Sequence, residues 1–141
     1  MNLDDNVIDV FIDGGSRGNP GMAACAFVVY VNNLQFYQES KYLGVATNNE
    51  AEYQGLLMAL GYLEKLNLSN FSRINLNMDS ELVVKQVKGE YKVKNQRLKI
   101  LYDKTLNMIK KLGLKISILC VPRSENFVAD KLVNERLDSA N

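Results

Sequence analysis

The sequence predicts an α/β domain, a five-stranded mixed sheet flanked by helices. Three observations carry this. Three strand-like apolar runs follow one another between residues 7 and 43, with only short turn signals between them. Two further short apolar runs cover 74–78 and 115–121, and amphipathic helical stretches lie between the strands. A helix before the fourth strand and a helical section before the fifth are crossovers, which set those strands parallel to a neighbour. The order is βββ-α-β-α-α-β-α. At 141 residues the chain suits a single domain, 1–141, around one core.

The first strand draws on Val7, Ile8, Val10, Phe11 and Ile12. Asp13 ends it, and the breakers Gly14 and Gly15 follow at once. Residues 14–21, GGSRGNPG, read as a tight turn whose glycines admit a bulky partner and whose N–H groups can face phosphate. Taken alone, the stretch is equally a hairpin turn with a capping aspartate, since Asp-Gly is a common turn dipeptide. Residues 23–31 are a continuous apolar run and a buried strand. Asn32-Asn33 turns the chain into a third strand over 34–43, completing an antiparallel meander.

Thr47-Asn48-Asn49 offers N-cap residues to a helix over about 50–66. Leu56, Ala59, Leu60 and Leu63 form its inward stripe, and Glu52 lies on the same face in the first turn. The helix dipole favours an acid there by ~0.3–1 kcal/mol but does not explain why the inward position is the acidic one. In 74–78, Ile74, Leu76 and Met78 share one face, while Asn75, Asn77 and Asp79 take the other. Asp79 falls at the strand end, and Ser80 opens a helix through about Val87, closed by Gly89. A long helix over 95–112 turns Leu98, Leu101, Tyr102, Leu106 and Ile109 inward. The fifth strand, 115–121, is closed by Pro122. Ser124 or Asn126 begins the last helix, with Asp130 one turn in and Leu132, Val133 and Leu137 as core contacts.

Composition narrows the function. Hydrophobic content of 47% is ordinary for a globular protein. No apolar run approaches the ~20 residues of a membrane span. The acidic start MNLDDNVIDV lacks the pattern of a signal peptide, so a cytoplasmic protein without a membrane partner is expected. Cys25 and Cys120 lie in apolar runs and read as two buried free thiols. With no histidine and two cysteines, zinc is disfavoured, and oxygen ligands point to magnesium or manganese. The net charge of +1 hides an asymmetry: residues 80–141 hold seven acids and thirteen bases, the reverse of the acidic first half. Either a solvated lysine-rich face or a phosphate-facing surface accounts for that, and charge alone does not choose.

Four carboxylates stand out. Asp13 and Asp79 end two strands, and Glu52 and Asp130 sit on first turns of two helices. If the two strands are adjacent, the helices bring all four together. Four clustered carboxylates repel, and divalent cations compensate. Two ions about 4 Å apart activate a water and stabilise a leaving oxygen in phosphoryl displacement.

At these residues the sequence resembles ribonuclease H of type 1. The resemblance runs from about Val7 to Leu137 and rests on four linked motifs: IDGGSRGNPG around Asp13, TNNEAEY around Glu52, MDSELVVKQV around Asp79 and VPRSENFVADKLVN around Asp130. It implies the ribonuclease H fold, with strand order 3-2-1-4-5. It implies cleavage of the RNA strand of an RNA–DNA hybrid with two divalent cations, Mg2+ or Mn2+, leaving 3′-hydroxyl and 5′-phosphate ends. In the family, the residue matching Asp13 bridges both metals. Those matching Glu52 and Asp79 complete the leaving-group side, and the one matching Asp130 holds the ion that activates water. The family's nucleic-acid contacts map onto Gly14, Gly15, Ser16, Arg17, Asn19, Asn48 and Asn49, of which the stretch 16–19 and the pair Asn48-Asn49 face the minor groove. There, 2′-hydroxyls distinguish RNA from DNA. Ser80 matches a hydroxyl position near the DNA strand.

The departures are specific. Bacterial members carry a histidine in the loop before the last helix. This chain has none, and Arg123 is the nearest charged candidate for a catalytic role. In place of a tryptophan-rich basic protrusion it has GEYKVKNQR, so Lys85, Lys88, Lys92 and Lys94 are expected to contact DNA-strand phosphates. Glu81 stands where a glutamine is common. Short histidine-free members occur in archaea and some bacteria, and some of them also cut double-stranded RNA. That duplex is therefore a second expected partner of a monomeric enzyme. Integrases and resolvases share the acidic constellation but usually need further domains or a dimer surface. A pure binding module gains nothing from carboxylates near phosphate. A flavodoxin-like nucleotide binder would need a βαβ start and a G-x-G-x-x-G run, which this chain lacks.

Overall fold

Alternating apolar side chains and short turns build the first three strands. The computed structural model describes residues 6–113 and 116–140. Strands β1 (Val7–Gly18), β2 (Gly21–Val31) and β3 (Leu34–Ala46) form the antiparallel meander. Helix α1 (Asn48–Glu64) crosses to β4 (Arg73–Met78), which runs parallel to β1. Helices α2 (Glu81–Val87) and α3 (Gln96–Leu112) lead to β5 (Ile116–Cys120), parallel to β4. A 3-10 turn, Arg123–Asn126, opens α4 (Phe127–Ser139). The sheet order is β3-β2-β1-β4-β5, as the resemblance implies.

Local chemistry sets the helix ends. Thr47 and Glu50 make a reciprocal capping box, so α1 starts at Asn48 rather than Glu50. Glu52 therefore sits just past the first turn, and the capping acid is Glu50. Ser80 accepts from the Val83 N–H and caps α2, and Asn95 caps α3. Of the two expected starting points, Asn126 is the N-cap position of α4, while Ser124 lies inside the 3-10 turn that precedes it.

Three expectations need correction. Residues 14–21 are not a tight turn. Strand β1 continues through Gly18, and only Asn19-Pro20, joined by a cis peptide, turns the chain. The third strand reaches Ala46, past the expected 43. Cys120 is exposed, because β5 is an edge strand in which only Ile118 is buried. Cys25 is buried, and both thiols are free. The expected start of β5 at Lys115 lies outside the described residues.

The larger core lies between the sheet and α1 and α3. Ile8, Val10, Ile12, Leu56, Leu60, Leu63 and Leu76 are fully buried there. Each such side chain contributes roughly 1.5–3 kcal/mol by leaving water. On the other face, Ala24 and Ala26 pack against Val133 and Leu137 of α4, which fixes that helix beside β1 and β2. No described helix is long and apolar enough to cross a membrane.

Candidate active site

The parallel pairing of β1 with β4 ends at Ile12 opposite Met78. Asp13 and Asp79 are the next residues on the two strands, so the register sets them side by side. Helix α1 delivers Glu52 to the same place because two glycines let it lie close to β1. A Cβ on Gly55 would meet the Asp13 carbonyl oxygen at 2.9 Å, and one on Gly14 would strike the α1 backbone. Carboxylate oxygens of Asp13, Glu52 and Asp79 all lie within 4.8 Å of one another. Asp130, in the first turn of α4, stands outside that trio. It is near enough to Asp13 for a side-chain hydrogen bond.

The arrangement is electrostatically unfavourable by itself. Burial, then the Asp79 charge, and further on the Asp130 charge push the Asp13 carboxyl up to about 8, against partial relief from the Gly14 N–H. Burial, then Asp13 and Asp79, raises Glu52 well above the usual carboxylate range, and Arg123 acts in the opposite direction. Glu52 Oε2 and Asp79 Oδ2 are buried without a hydrogen-bond partner. Buried acceptors of this kind cost free energy unless something satisfies them. An all-oxygen donor set with negative charge and orphaned acceptors fits a hard divalent cation.

A cleft of about 770 Å3 opens over the carboxylates. Gly14, Gly15, Ser16, Arg17, Asn48, Ser80 and Arg123 share its walls with the four acids. The family model described as Reverse transcriptase-like matches residues 11–136, and so spans all four acids. Ribonuclease HI of Halobacterium salinarum is 37% identical over 134 residues, covering 94% of this chain and 65% of that protein. A ribonuclease H1 isolated from compost by a metagenomic approach superposes with a TM-score of 0.90 at 38% identity, over 96% of this chain and 98% of that one. The chain belongs to the ribonuclease H type 1 family. The compost ribonuclease H1 has also been crystallised with an RNA/DNA hybrid, and that structure matches at TM-score 0.85 and 37% identity, over 94% and 98% of the two chains. A bifunctional protein of Mycobacterium tuberculosis is 41% identical over 130 residues, 91% of this chain, but the match spans only 35% of that relative.

The residues expected to meet nucleic acid fall into three groups. The first is stitched together at the cleft: the Ser16 N–H donates to Asn48 Oδ1 at 2.9 Å, and the Asn48 N–H donates to Asn19 Oδ1 at 3.0 Å. Asn49 lines an adjoining groove with Asn19, Glu50 and Arg97. The second group is engaged within the protein. Arg17 pairs with Asp138 at 2.7 Å, which ties β1 to α4. Lys85 pairs with Glu81 at 2.8 Å and lies over the Tyr91 ring, and the Ser80 hydroxyl caps α2. The third group, Lys88, Lys92 and Lys94, is exposed on the loop after α2.

Sequence reasoning assigned no site role to Asn126. It is 1% exposed, donates from Nδ2 to the Ile12 carbonyl at 2.8 Å, and leaves Oδ1 buried and unpartnered. That bond holds the start of α4, and with it Asp130, against the strand that carries Asp13. The signal in the sequence is an asparagine one helical turn before the fourth acid.

Proposed function

We propose that the chain hydrolyses the RNA strand of RNA–DNA hybrids by a two-metal-ion mechanism, with Mg2+ or Mn2+, leaving 3′-hydroxyl and 5′-phosphate ends. The observation that carries this is the close trio of Asp13, Glu52 and Asp79 with two buried, orphaned oxygens, sharing its cleft with Asp130. Asp13, Glu52 and Asp79, with Asp130 in the same cleft, would hold the ions. Bound cations would supply Lewis acidity and activate the attacking water. The ribonuclease H1 crystallised with a hybrid supports the choice of substrate.

The chain's own groups do the rest. Two backbone N–H donors hold the carbonyl oxygens of Asn48 and Asn19, so each side chain is oriented with its NH2 group outward. Donors of that kind suit RNA 2′-hydroxyls in the minor groove. Arg123, on the cleft wall and near enough to favour the ionised form of Glu52, stabilises charge developing on the scissile phosphate. Lys88, Lys92 and Lys94, with Lys85 behind them, contact phosphates of the DNA strand. The site acts as a monomer, and double-stranded RNA, which also presents 2′-hydroxyls, is its second substrate.

The test is cleavage of end-labelled RNA–DNA, RNA–RNA and DNA–DNA duplexes with magnesium or manganese. The expected result is metal-dependent cutting of the RNA strand of the hybrid, slower cutting of RNA–RNA and none of DNA–DNA. An intact hybrid in both metals refutes the proposal.

A further inference from the structure

Gln86 of α2 is only 4% exposed, a setting in which an amide needs partners on both sides. The Tyr53 hydroxyl donates to its Oε1 at 2.6 Å. Its Nε2 donates to the Lys92 carbonyl at 3.4 Å. A carbonyl only accepts, so the NH2 group must face Lys92 and the oxygen must face Tyr53. The amide therefore fits one way round.

The two ends of this chain of bonds are functionally distinct. Tyr53 is fully buried and directly follows Glu52 on α1. Lys92 lies on the loop between α2 and α3, with Lys88 and Lys94. The beginning of that loop is fastened locally: the Glu90 and Tyr91 N–H groups donate to the Lys85 carbonyl at 2.8 and 3.2 Å. Those bonds reach only the end of α2. Gln86 secures the next residue, and it does so to the helix that carries a site carboxylate.

We infer that Gln86 is a positioning residue for the substrate, fixing the basic loop relative to the carboxylate site through Tyr53 and the Lys92 carbonyl. The inference rests on the proposed reading that the loop lysines contact phosphates of a hybrid duplex. A loose loop still carries its charge, but it must be ordered on binding, which weakens affinity without altering the chemical step. Gln86 acts through the loop and touches no substrate.

Three variants test it. Gln86→Glu keeps an acceptor for Tyr53 and removes the donor to Lys92. Gln86→Leu removes both bonds, and Tyr53→Phe removes only the first. The readouts are amide hydrogen exchange over residues 91–94 without nucleic acid, and KM and kcat on an RNA–DNA hybrid in magnesium. Both Gln86 variants should exchange faster at 91–94 and show KM raised about three- to tenfold, the worth of one such bond, with kcat close to wild type. Tyr53→Phe should move both readouts in the same direction by less, and it carries the test alone if the Gln86 variants do not fold. Unchanged exchange in the folded variants, or a fall in kcat at constant KM, overturns the inference. A wild type that leaves the hybrid intact refutes the proposed function instead, and exchange then decides whether Gln86 fastens the loop.

Discussion

The Cβ that Gly14 lacks would fall 2.5 Å from the backbone nitrogen of Glu52. It would also fall 2.2 Å from the Ala51 carbonyl oxygen. Both obstacles are backbone, so no side chain can swing aside. Gly14→Ala must therefore push α1 off β1 and carry Glu52 away from Asp13. Displacement of a reacting group by about 1 Å costs on the order of a hundredfold in rate. The overpacking itself costs about 1–3 kcal/mol, which a domain of this size survives. Steady-state cleavage and thermal melting, measured together, should show activity lost far more than stability. Near-native turnover in Gly14→Ala would mean the close approach is not needed.

Asp13→Asn, Glu52→Gln, Asp79→Asn and Asp130→Asn should each cripple cleavage while leaving the fold intact. Each removes one like charge from a crowded site, so the metal-free melting temperature should hold or rise. Calorimetric titration with magnesium should show weakened binding in all four. Near-native turnover in two or more would sink the two-metal reading.

The positions of Asp13 and Asp79 were legible because each carboxylate directly follows an apolar run, and the parallel register then sets them adjacent. Glu52 was legible as an acid on an apolar face. Gly14 was legible as a glycine but not for its purpose, since a turn and a close backbone approach call for the same residue. The true beginning of α1 depended on which acid completed the capping box, and Glu50 did. Cys120 looked buried because an apolar run does not reveal that its strand is at the sheet edge. Asn126 was legible only as a helix start, and Gln86 not at all, because their partners lie 114 and 33 residues away, beyond any local pattern.

The raised carboxyls make a pH prediction for the metal-free protein. A folded-state pKa above the unfolded value means the folded chain binds that proton more tightly. The associated stability is fully present below the unfolded carboxyl range, ~4. It is lost as pH rises towards about 8 at Asp13, and Glu52 acts in the same direction. Melting temperature in a chelator should therefore fall from ~pH 5 to ~pH 8. Asp13→Asn should flatten the fall, and saturating magnesium should reverse it at the alkaline end. A metal-free protein that becomes more stable over this range would contradict the crowding of these acids.

Replacing Lys88, Lys92 and Lys94 by glutamine should weaken hybrid binding and flatten its salt dependence, by a log–log slope of about 0.9 for each phosphate no longer neutralised. Arg17 is held by Asp138 on α4, so Arg17→Gln should cost stability more than it changes that slope. Binding isotherms at several salt concentrations separate the two. An unchanged slope in the triple variant would remove these lysines from the interface.

Arg123 opens the 3-10 turn before α4, is exposed, and lines the cleft that holds the four acids. It lies near enough to Glu52 to favour its ionised form. Where a histidine would titrate near ~6.5, a guanidinium keeps its charge across the working range and cannot carry a proton. Its contribution is therefore electrostatic: it meets charge as charge develops on the scissile phosphate. Arg123→Ala should lower single-turnover cleavage by about tenfold to a hundredfold, the scale of one charge-assisted hydrogen bond in the transition state. The loss should be the same factor at every pH, because a guanidinium acts here by its fixed charge. Arg123→Lys should recover part of it, since the charge returns without the planar fork. Rates against pH for the wild type and both variants, in saturating magnesium, decide the matter. A wild-type profile that bends near ~6.5, where imidazole would titrate, or a pH slope altered by Arg123→Ala would overturn the purely electrostatic role of Arg123.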